Sequence, residues 1–396
     1  MSQVVHSASH RGLIRAQAST QHRAPVDAII VPSARRAAAL QEAGRLAEQL
    51  GSALLVLCSK HCDPQRAADS LAHHTKIDLV VLDFPEAGIG RLPILETSTV
   101  LGESRLKRRT DTSAKRNLGL VLARLAGWKR TVFLDDDIAV PDAADLERAA
   151  ALLETRDGVG LHIGGFPDNS VVCHANRETG APQESFIGGG ALAVPSDRID
   201  SFFPEVYNED WFFLLGKTML RPVGQVGLAI QKPYDPFASP DRARREEFGD
   251  LLAEGLFALF DTSGVIGDAD EQYWQRFIAA RLAFIEDIKA RIEHRNGPVT
   301  GHDKQMLESL TASSGRLHFI RPHHCVAYLQ AWQWDRERWR GFMAGTRPIR
   351  RTPQGKPPIE VALERFGLRS FTPAPPERRR PAPGPGPRQP RSMAAK

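Results

Sequence analysis

The sequence predicts an α/β protein with a mostly parallel sheet flanked by helices, followed by a region made of helices alone. In the first half, short apolar runs alternate with segments of helical periodicity. This order predicts parallel strands joined by right-handed crossovers. The runs are continuously apolar, as expected for strands that are covered on both faces. From residue 239 onward, the apolar residues recur only at helical spacing.

Three apolar runs precede the most unusual segment of the chain. Residues 26–31, 53–57 and 79–82 are expected to be strands, and helices are expected between them. Residues 112–126 carry an apolar stripe and are followed by Gly127, a residue type common just beyond a helix end. The run at 131–134 is therefore the fourth strand.

Three adjacent carboxylates follow this fourth strand. Asp135, Asp136 and Asp137 repel one another, so a divalent cation would remove an electrostatic cost. Carboxylate oxygens suit Mg²⁺ or Mn²⁺. Ligands of open α/β sheets bind beyond the carboxyl ends of the strands, where the triplet would lie. The triplet therefore predicts a metal site, and a polar turn is the alternative.

A basic cluster opens the helix that leads into this strand. Two of its members, Lys115 and Arg116, lie in the first helical turn, where cations oppose the helix dipole. A multiply charged anion such as a diphosphate would offset both effects. A solvated charge run is the alternative. The whole cluster consists of Arg105, Lys107, Arg108, Arg109, Lys115 and Arg116.

Two later segments also carry candidate site residues. The glycines Gly188, Gly189 and Gly190 are costly in a strand but suit a backbone that approaches a ligand closely, with a bulge or bend as the alternative.

The second segment contains an acidic pair beside an aromatic residue. Asn208 is a residue type that caps helices, and it would place Glu209 and Asp210 in a first helical turn. A carboxylate beside Trp211 would lie in a partly apolar cleft, the setting of a tuned general base.

Taken in order, these elements resemble GT-A-fold glycosyltransferases and are similar to the large family-2 group of inverting enzymes. The resemblance covers about residues 26–215. It implies a Rossmann-like GT-A sheet and metal-dependent transfer of a sugar from a nucleoside-diphosphate sugar to an acceptor hydroxyl. The matching segments are Lys115-Arg116-Asn117-Leu118-Gly119, Phe133-Leu134-Asp135-Asp136-Asp137, Gly188-Gly189-Gly190 and Asn208-Glu209-Asp210-Trp211.

The resemblance implies roles for the residues of the donor side. Asp135 and Asp137 would hold Mn²⁺ or Mg²⁺ on the donor diphosphate, and Asp135 or Asp136 would contact the ribose. Arg116 would help to neutralise the leaving nucleoside diphosphate. The ends of the first three strands supply the candidates for nucleoside binding, which are Pro32, Ser33, Ser59 and Asp83.

The resemblance also implies roles on the acceptor side. Asp210, with Glu209 beside it, would deprotonate the acceptor hydroxyl, which would attack the anomeric carbon with inversion. The segment 188–190 and Trp211 would contact the sugar and the acceptor. The basic run between residues 83 and 116 is longer than usual for the family, which would suit an anionic acceptor.

Several departures leave alternatives open. The second strand ends in Cys58-Ser59-Lys60 instead of the acidic segment common in the family, and a retaining outcome is possible because retaining enzymes share the metal motif. A haloacid-dehalogenase-type phosphatase, whose nucleophile also follows a strand in an Asp-x-Asp pattern, and a non-catalytic nucleotide-binding relative are the competing functions. Candidates for a further metal ligand are His302, His318, His323 and His324.

Composition narrows the class of protein. Four cysteines in 396 residues are too few for a disulfide scaffold, although Cys58 and Cys62 with His61, and His323-His324-Cys325, form a weak zinc pattern. No apolar run reaches the roughly 18 residues of a transmembrane helix, and no apolar signal core is present, so a cytoplasmic location is expected. Residues 372–396 hold six basic residues and one acid, so this tail alone accounts for the net charge of +5. Because the rest of the chain is neutral on balance, the charge argues against a nucleic-acid-binding fold.

We expect four segments in the chain. Residues 1–24 would be a disordered extension, 25–238 the GT-A nucleotide-sugar-binding and catalytic domain, 239–370 a helical region, and 371–396 a disordered tail rich in proline and arginine. The helical region would shape the acceptor side or form a homodimer contact. Its tryptophans, Trp332, Trp334 and Trp339, would belong to the core or stack on a sugar.

Overall fold

The computed structural model describes residues 10–14, 20–85, 88–102, 106, 110–167, 169–184, 186–295, 297–352 and 355–374. Within these ranges the chain forms one mixed α/β fold, with a nine-stranded sheet and helices packed on both of its faces. None of the described helices has the length and apolar character needed to cross a membrane.

The sheet agrees with the expectation of a mostly parallel arrangement. Six of the nine described strands run in one direction, and β5, β7 and β9 run in the other. Their spatial order is β5-β8-β6-β7-β4-β1-β2-β3-β9. The strands are β1 (Ala28–Ser33), β2 (Ala53–Cys58), β3 (Leu79–Asp83), β4 (Arg130–Leu134), β5 (Ile138–Ala139), β6 (Gly158–Gly165), β7 (Ala191–Pro195), β8 (Val223–Gln231) and β9 (Ser370–Phe371).

The helices fall at the intervals that the sequence predicts, and the region after residue 239 consists almost entirely of helices. In chain order they are α1 (Gln41–Leu50), α2 (Pro64–Leu71), α3 (Thr112–Ala126), α4 (Ala144–Leu152), α5 (Val171–Glu178), α6 (Glu209–Phe213), α7 (Pro240–Asp261), α8 (Glu271–Glu293), α9 (Gly301–Leu317), α10 (Pro322–Gly345) and α11 (Pro358–Phe366).

Alternate residues of the central strands feed two separate cores. Ile29 and Leu54 belong to the core that contains α1, α2 and α4, whereas Ile30 and Leu55 belong to the core that contains α3 and the C-terminal helices. Gly119 lets α3 lie close to the sheet, because a Cβ atom there would be 2.9 Å from Ile30. Both faces are therefore covered, which explains the continuously apolar strands.

The C-terminal helices share a core with the sheet. Trp332 and Trp339 of α10 are each 1% exposed and belong to the same apolar cluster as β1 and α3. The prediction that these two tryptophans belong to the core is therefore confirmed. Trp334 is different, because it is 74% exposed.

A buried ion network joins α7 to α8. Arg281 of α8 donates to Glu247 at 2.5 Å and to Asp250 at 2.5 Å, and all three side chains are almost fully buried. Ser313 of α9 also donates to Glu247. A buried charge is tolerated only when it is paired and hydrogen-bonded, so these contacts fix how the three helices meet.

The chain ends differ in part from the predicted segments. His10 lies inside the predicted extension 1–24 yet is 1% exposed, because two carboxylates of α7 bind its ring. Phe371 lies inside the predicted disordered tail yet belongs to β9, which pairs with β3. Residues 1–9, 15–19 and 375–396 are outside the described part of the chain.

We predict that Arg281→Met lowers the free energy of unfolding by about 3–5 kcal/mol, because it leaves two buried carboxylates without a cation. Urea unfolding followed by circular dichroism measures the change. The control is Arg245→Gln, whose partner Asp241 is also exposed, and it should change the value by less than about 1 kcal/mol. Equal effects of the two substitutions would contradict the prediction.

Candidate functional site

The first turn of α3 ties together the carboxyl ends of two strands. The Lys115 Nζ atom donates to the Ser33 carbonyl at 2.7 Å and to the Ser59 hydroxyl at 2.6 Å. Lys115 is buried, and burial lowers its pKa against the effect of Asp111. This cation of the predicted anion-binding cluster therefore holds the sheet edge together.

The acidic triplet lies at the same edge, and two arginines offset part of its charge. Arg35 lies 2.8 Å from an Asp136 oxygen and 2.6 Å from an Asp137 oxygen. Burial lowers the pKa of Arg35, but Asp137 and Asp136 outweigh this effect and raise it. Asp136 also accepts from the Ser33 hydroxyl at 2.6 Å. Asp135 instead contacts Arg116.

Arg116 links the triplet to the second acidic segment. One nitrogen of its guanidinium, Nη2, donates to Asp135 at 2.9 Å, and the other, Nη1, donates to Glu209 at 3.0 Å. The side chain is only 3% exposed. Burial lowers the pKa of Arg116, but Asp135, Glu209 and Asp210 raise it overall above its ordinary value.

Gly189, the middle residue of the glycine segment 188–190, makes room for the Arg116 guanidinium. A Cβ atom on Gly189 would lie 2.6 Å from Arg116 Nη1 and 2.9 Å from its Cζ. No side chain fits there while Arg116 keeps both carboxylate contacts. The backbone therefore comes close to another group at Gly189. The prediction was a close approach to a ligand, whereas the group observed there is Arg116 of the same chain.

Two carboxylates near Arg116, those of Asp135 and Asp210, have raised pKa values. Burial raises the pKa of Asp135 to about 6, helped by Asp137 and opposed by Arg116. Burial and the Glu209 carboxylate likewise raise the pKa of Asp210. Asp210 accepts from the backbone N–H of Gly189, and from that of Trp211 at 2.9 Å.

The predicted cap of α6 is wrong in its detail. Asn208 precedes the helix as expected, but its side chain makes no capping hydrogen bond. Its backbone has a φ of 61°, in the left-handed region that asparagine tolerates better than most residues. The side-chain amide instead donates to Asp250 at 3.1 Å, so Asn208 joins the acidic pair to α7.

Most of these groups line one cavity of about 300 Å³. It brings together eight of the predicted site residues, although they come from four distant segments of the sequence. The predicted residues that line it are Arg116, Asp135, Gly188, Gly189, Gly190, Glu209, Asp210 and Trp211.

The remaining predicted residues are not among those that line the cavity. Pro32 and Ser33 end β1, and Asp83 ends β3. Ser59 follows β2, and Asp136 and Asp137 face Arg35. Arg105, Lys107, Arg108 and Arg109 of the basic cluster are outside the described residues.

Several residues of the cavity were missed by the sequence analysis. Arg35 follows β1 by two residues, and its position just beyond a strand end was the available signal. Asn169, Arg242, Asp250 and Glu254 also line the cavity. Three of these belong to α7, and nothing in its helical periodicity distinguishes a residue facing a cavity from one facing the core.

His10 closes the wall behind Trp211. Its ring meets that of Trp211 edge to face, with centroids 5.6 Å apart. Its two nitrogens lie 2.8 Å from Glu254 and 2.6 Å from Asp261. Burial lowers the pKa of His10, but the two carboxylates outweigh it and raise the pKa to about 9. The imidazolium form is therefore the stable one at neutral pH.

No group of three or more His, Cys, Asp or Glu side chains forms a ready metal site within the described ranges. The zinc pattern is not assembled there, and Cys58 and Cys62 contact each other with sulfur atoms 3.2 Å apart. The candidate histidines have other partners, since His302 binds Glu178 and His318 binds the Ser314 carbonyl.

Comparisons with known protein families and with curated proteins find no match. Among solved structures, the chain is similar to the mannosyltransferase PcManGT from Pyrobaculum calidifontis in complex with GDP-Man and Mn²⁺. The TM-score is 0.42 and the identity 14%, over 83% of this chain and 90% of that chain. The functional proposal rests on the residues of the site and not on this likeness.

We predict that His10→Gln lowers stability in a pH-dependent way. A raised folded-state pKa stabilises the fold fully below the unfolded value of about 6.5, and the contribution disappears as pH rises through about 9. The loss should approach about 3 kcal/mol at pH 6 and shrink by pH 9.5. Urea unfolding at both pH values measures it.

His61→Gln is the matched control, because His61 is exposed. Its unfolding free energy should follow that of the unchanged protein at both pH values. A loss in His10→Gln that is the same at pH 6 and pH 9.5 would exclude the imidazolium as the source of the stabilisation.

Proposed function

We propose that this chain is a metal-dependent glycosyltransferase that moves a sugar from a nucleoside-diphosphate sugar to an acceptor hydroxyl with inversion, in a fold of the GT-A type. One observation carries the proposal. A buried cation suited to a diphosphate, Arg116, and a carboxylate with a raised pKa, Asp210, line the same cavity. Gly189 contacts both of them.

The leaving group of such a transfer is a nucleoside diphosphate, on which negative charge accumulates. Arg116 is held in place by Asp135 and Glu209 before any ligand arrives. A preorganised cation of this kind costs no rearrangement when the charge develops. Arg35 is half exposed, so it is free to turn towards an incoming diphosphate.

The carboxylates at this edge fit Mn²⁺ or Mg²⁺ by their chemistry. Asp135 and Asp137 offer hard oxygen ligands, and among the described residues their ion pairs are with arginines. A bound ion would supply positive charge at the leaving diphosphate. Because Arg35 bridges Asp136 and Asp137, it has to move away when a cation occupies this position.

Asp210 would act as the general base. The acceptor oxygen forms a bond to the anomeric carbon while the bond from that carbon to the diphosphate oxygen breaks, and the hydroxyl proton passes to Asp210. A raised pKa makes a carboxylate a better proton acceptor. Backbone N–H groups of Gly189 and Trp211 hold its orientation. Glu209 is engaged by Arg116, so we assign it a supporting role.

The nucleoside would lie along the ends of β1, β2 and β3. Ser33 and Asp83 pair with Cys58 from opposite sides in the sheet, and Pro32 and Ser59 are their neighbours along β1 and after β2. The order of the strands does not favour the phosphatase. In such enzymes the strand that carries the nucleophile usually opens the domain, whereas three parallel strands precede β4 in this chain.

We predict that one of UDP, GDP, ADP or dTDP stabilises the purified protein against heat, and that it does so more strongly with Mn²⁺. Ligand at about 100 times its Kd adds about 2.7 kcal/mol by mass action. Asp137→Asn should remove the metal-dependent part and retain the rest. Thermal unfolding with each nucleotide, with and without Mn²⁺, tests this, and the absence of any response would overturn the proposal.

We predict that Asp210→Asn retains the nucleotide response but loses transfer by roughly 100-fold or more, since a positioned base contributes about 10²–10⁴. The donor identified by the thermal test and a panel of hydroxyl acceptors, followed by mass spectrometry, provide the assay. Asp287→Asn is a matched carboxylate change at an exposed residue outside the cavity lining. Full transfer by Asp210→Asn would exclude Asp210 as the base.

A further inference from the structure

A second and larger cavity lies next to the candidate site. Its volume is about 650 Å³, and it shares Asn169 with the first cavity. Phe186 lines the second cavity, and its ring centroid is 5.9 Å from that of Trp211, which lines the first. A ligand in the second cavity is therefore close to the wall that carries the proposed base.

One cation on the wall of this cavity forms no ion pair with the described residues. Arg177, near the end of α5, lines the cavity, and its side chain is only partly buried. Its Nη1 atom is closed to solvent and has no hydrogen-bond acceptor, so a ligand in the cavity would contact the other guanidinium nitrogens.

The other charges on this wall have partners in the chain. Glu178 is 2.6 Å from His302, and Glu184 is 2.8 Å from Arg11. The carboxylates of this cavity are thus engaged by residues other than Arg177. Burial lowers the pKa of Arg177 and the nearby Glu178 carboxylate opposes this effect, but the two side chains form no ion pair.

Polar groups without charge surround the cation. Gln183 and Gln225 line the cavity together with Asn169. Amide side chains of this kind donate to and accept from hydroxyl groups. The apolar part of the wall includes Ile163 and Phe186. The wall therefore combines a cation that forms no ion pair with the described residues and several amide groups that can bind hydroxyl groups.

We propose that this cavity binds the acceptor, and that the acceptor is a hydroxylated molecule carrying a phosphate or carboxylate group that pairs with Arg177. The oxyanion accepts hydrogen bonds from the guanidinium, and the acceptor hydroxyl extends past Phe186 towards Asp210. The transfer step rests on the proposed function, but binding of the oxyanion does not.

The test uses isothermal titration of the full chain, in phosphate-free buffer, with D-glucose 6-phosphate, D-glucuronate and neutral D-glucose. At least one anion should bind the unchanged protein more tightly than glucose. Arg177→Gln should weaken that anion roughly tenfold to a hundredfold, the range expected for a charge-assisted hydrogen bond. Arg245→Gln, a change at an exposed arginine outside both cavities, should leave it unchanged.

The pattern of binding identifies the source of the oxyanion. A response to glucose 6-phosphate alone indicates a phosphorylated acceptor, and a response to glucuronate alone indicates an acidic sugar. No anion binding above that of glucose overturns the proposal, as does equal binding by the unchanged protein and Arg177→Gln. Arg177→Lys, which keeps the charge but loses the planar fork, should retain part of the affinity and serves if the glutamine variant is unstable.

The nucleotide measurement separates this inference from the proposed function. Anion binding that depends on Arg177, in a protein that responds to no nucleotide, would refute the glycosyltransferase and leave the oxyanion site standing. A metal-dependent nucleotide response without Arg177-dependent anion binding would support the glycosyltransferase and refute the oxyanion site.

Discussion

The candidate site depends on one buried guanidinium held between two carboxylates. Arg116 comes from the helix that packs against the central strands, Asp135 ends β4, and Glu209 opens α6. Removing Arg116 would leave both carboxylates without this cation in a poorly solvated place. This single triad fixes the distance between the edge of the sheet and the short helix that carries Asp210.

Charge compensation also explains the surroundings of the triad. The Asp135–Asp137 segment would be unfavourable alone, and Arg35 and Arg116 divide its charge between an exposed and a buried partner. Arg35 is half exposed, whereas Arg116 is almost fully buried. Exchange of ligands at this edge is therefore expected to involve Arg35, while Arg116 keeps the geometry of the cavity.

Much of the fold was predictable from local pattern, and the site only in part. The apolar runs gave β1 to β4, and the residues Arg116, Asp135, Gly189 and Asp210 were recognised by motif and now lie together. His10 was not found, because a polar N-terminal stretch without periodicity gives no signal. Its burial depends on Glu254, which is 244 positions away. The amide of Asn208 was likewise assigned to a local cap because its partner lies on a distant helix.

The contribution of α7 changes how the chain can be divided. Arg242, Asp250 and Glu254 lie beyond residue 238, yet they form part of the wall around Asp210. Leu252 and Leu256 of the same helix belong to the core that contains Phe133 of β4. A fragment ending at residue 238 would therefore expose the apolar face of its own sheet and open the cavity on one side. The change from strands to helices near residue 238 is a change of architecture. It is not the end of a unit that could form the site by itself.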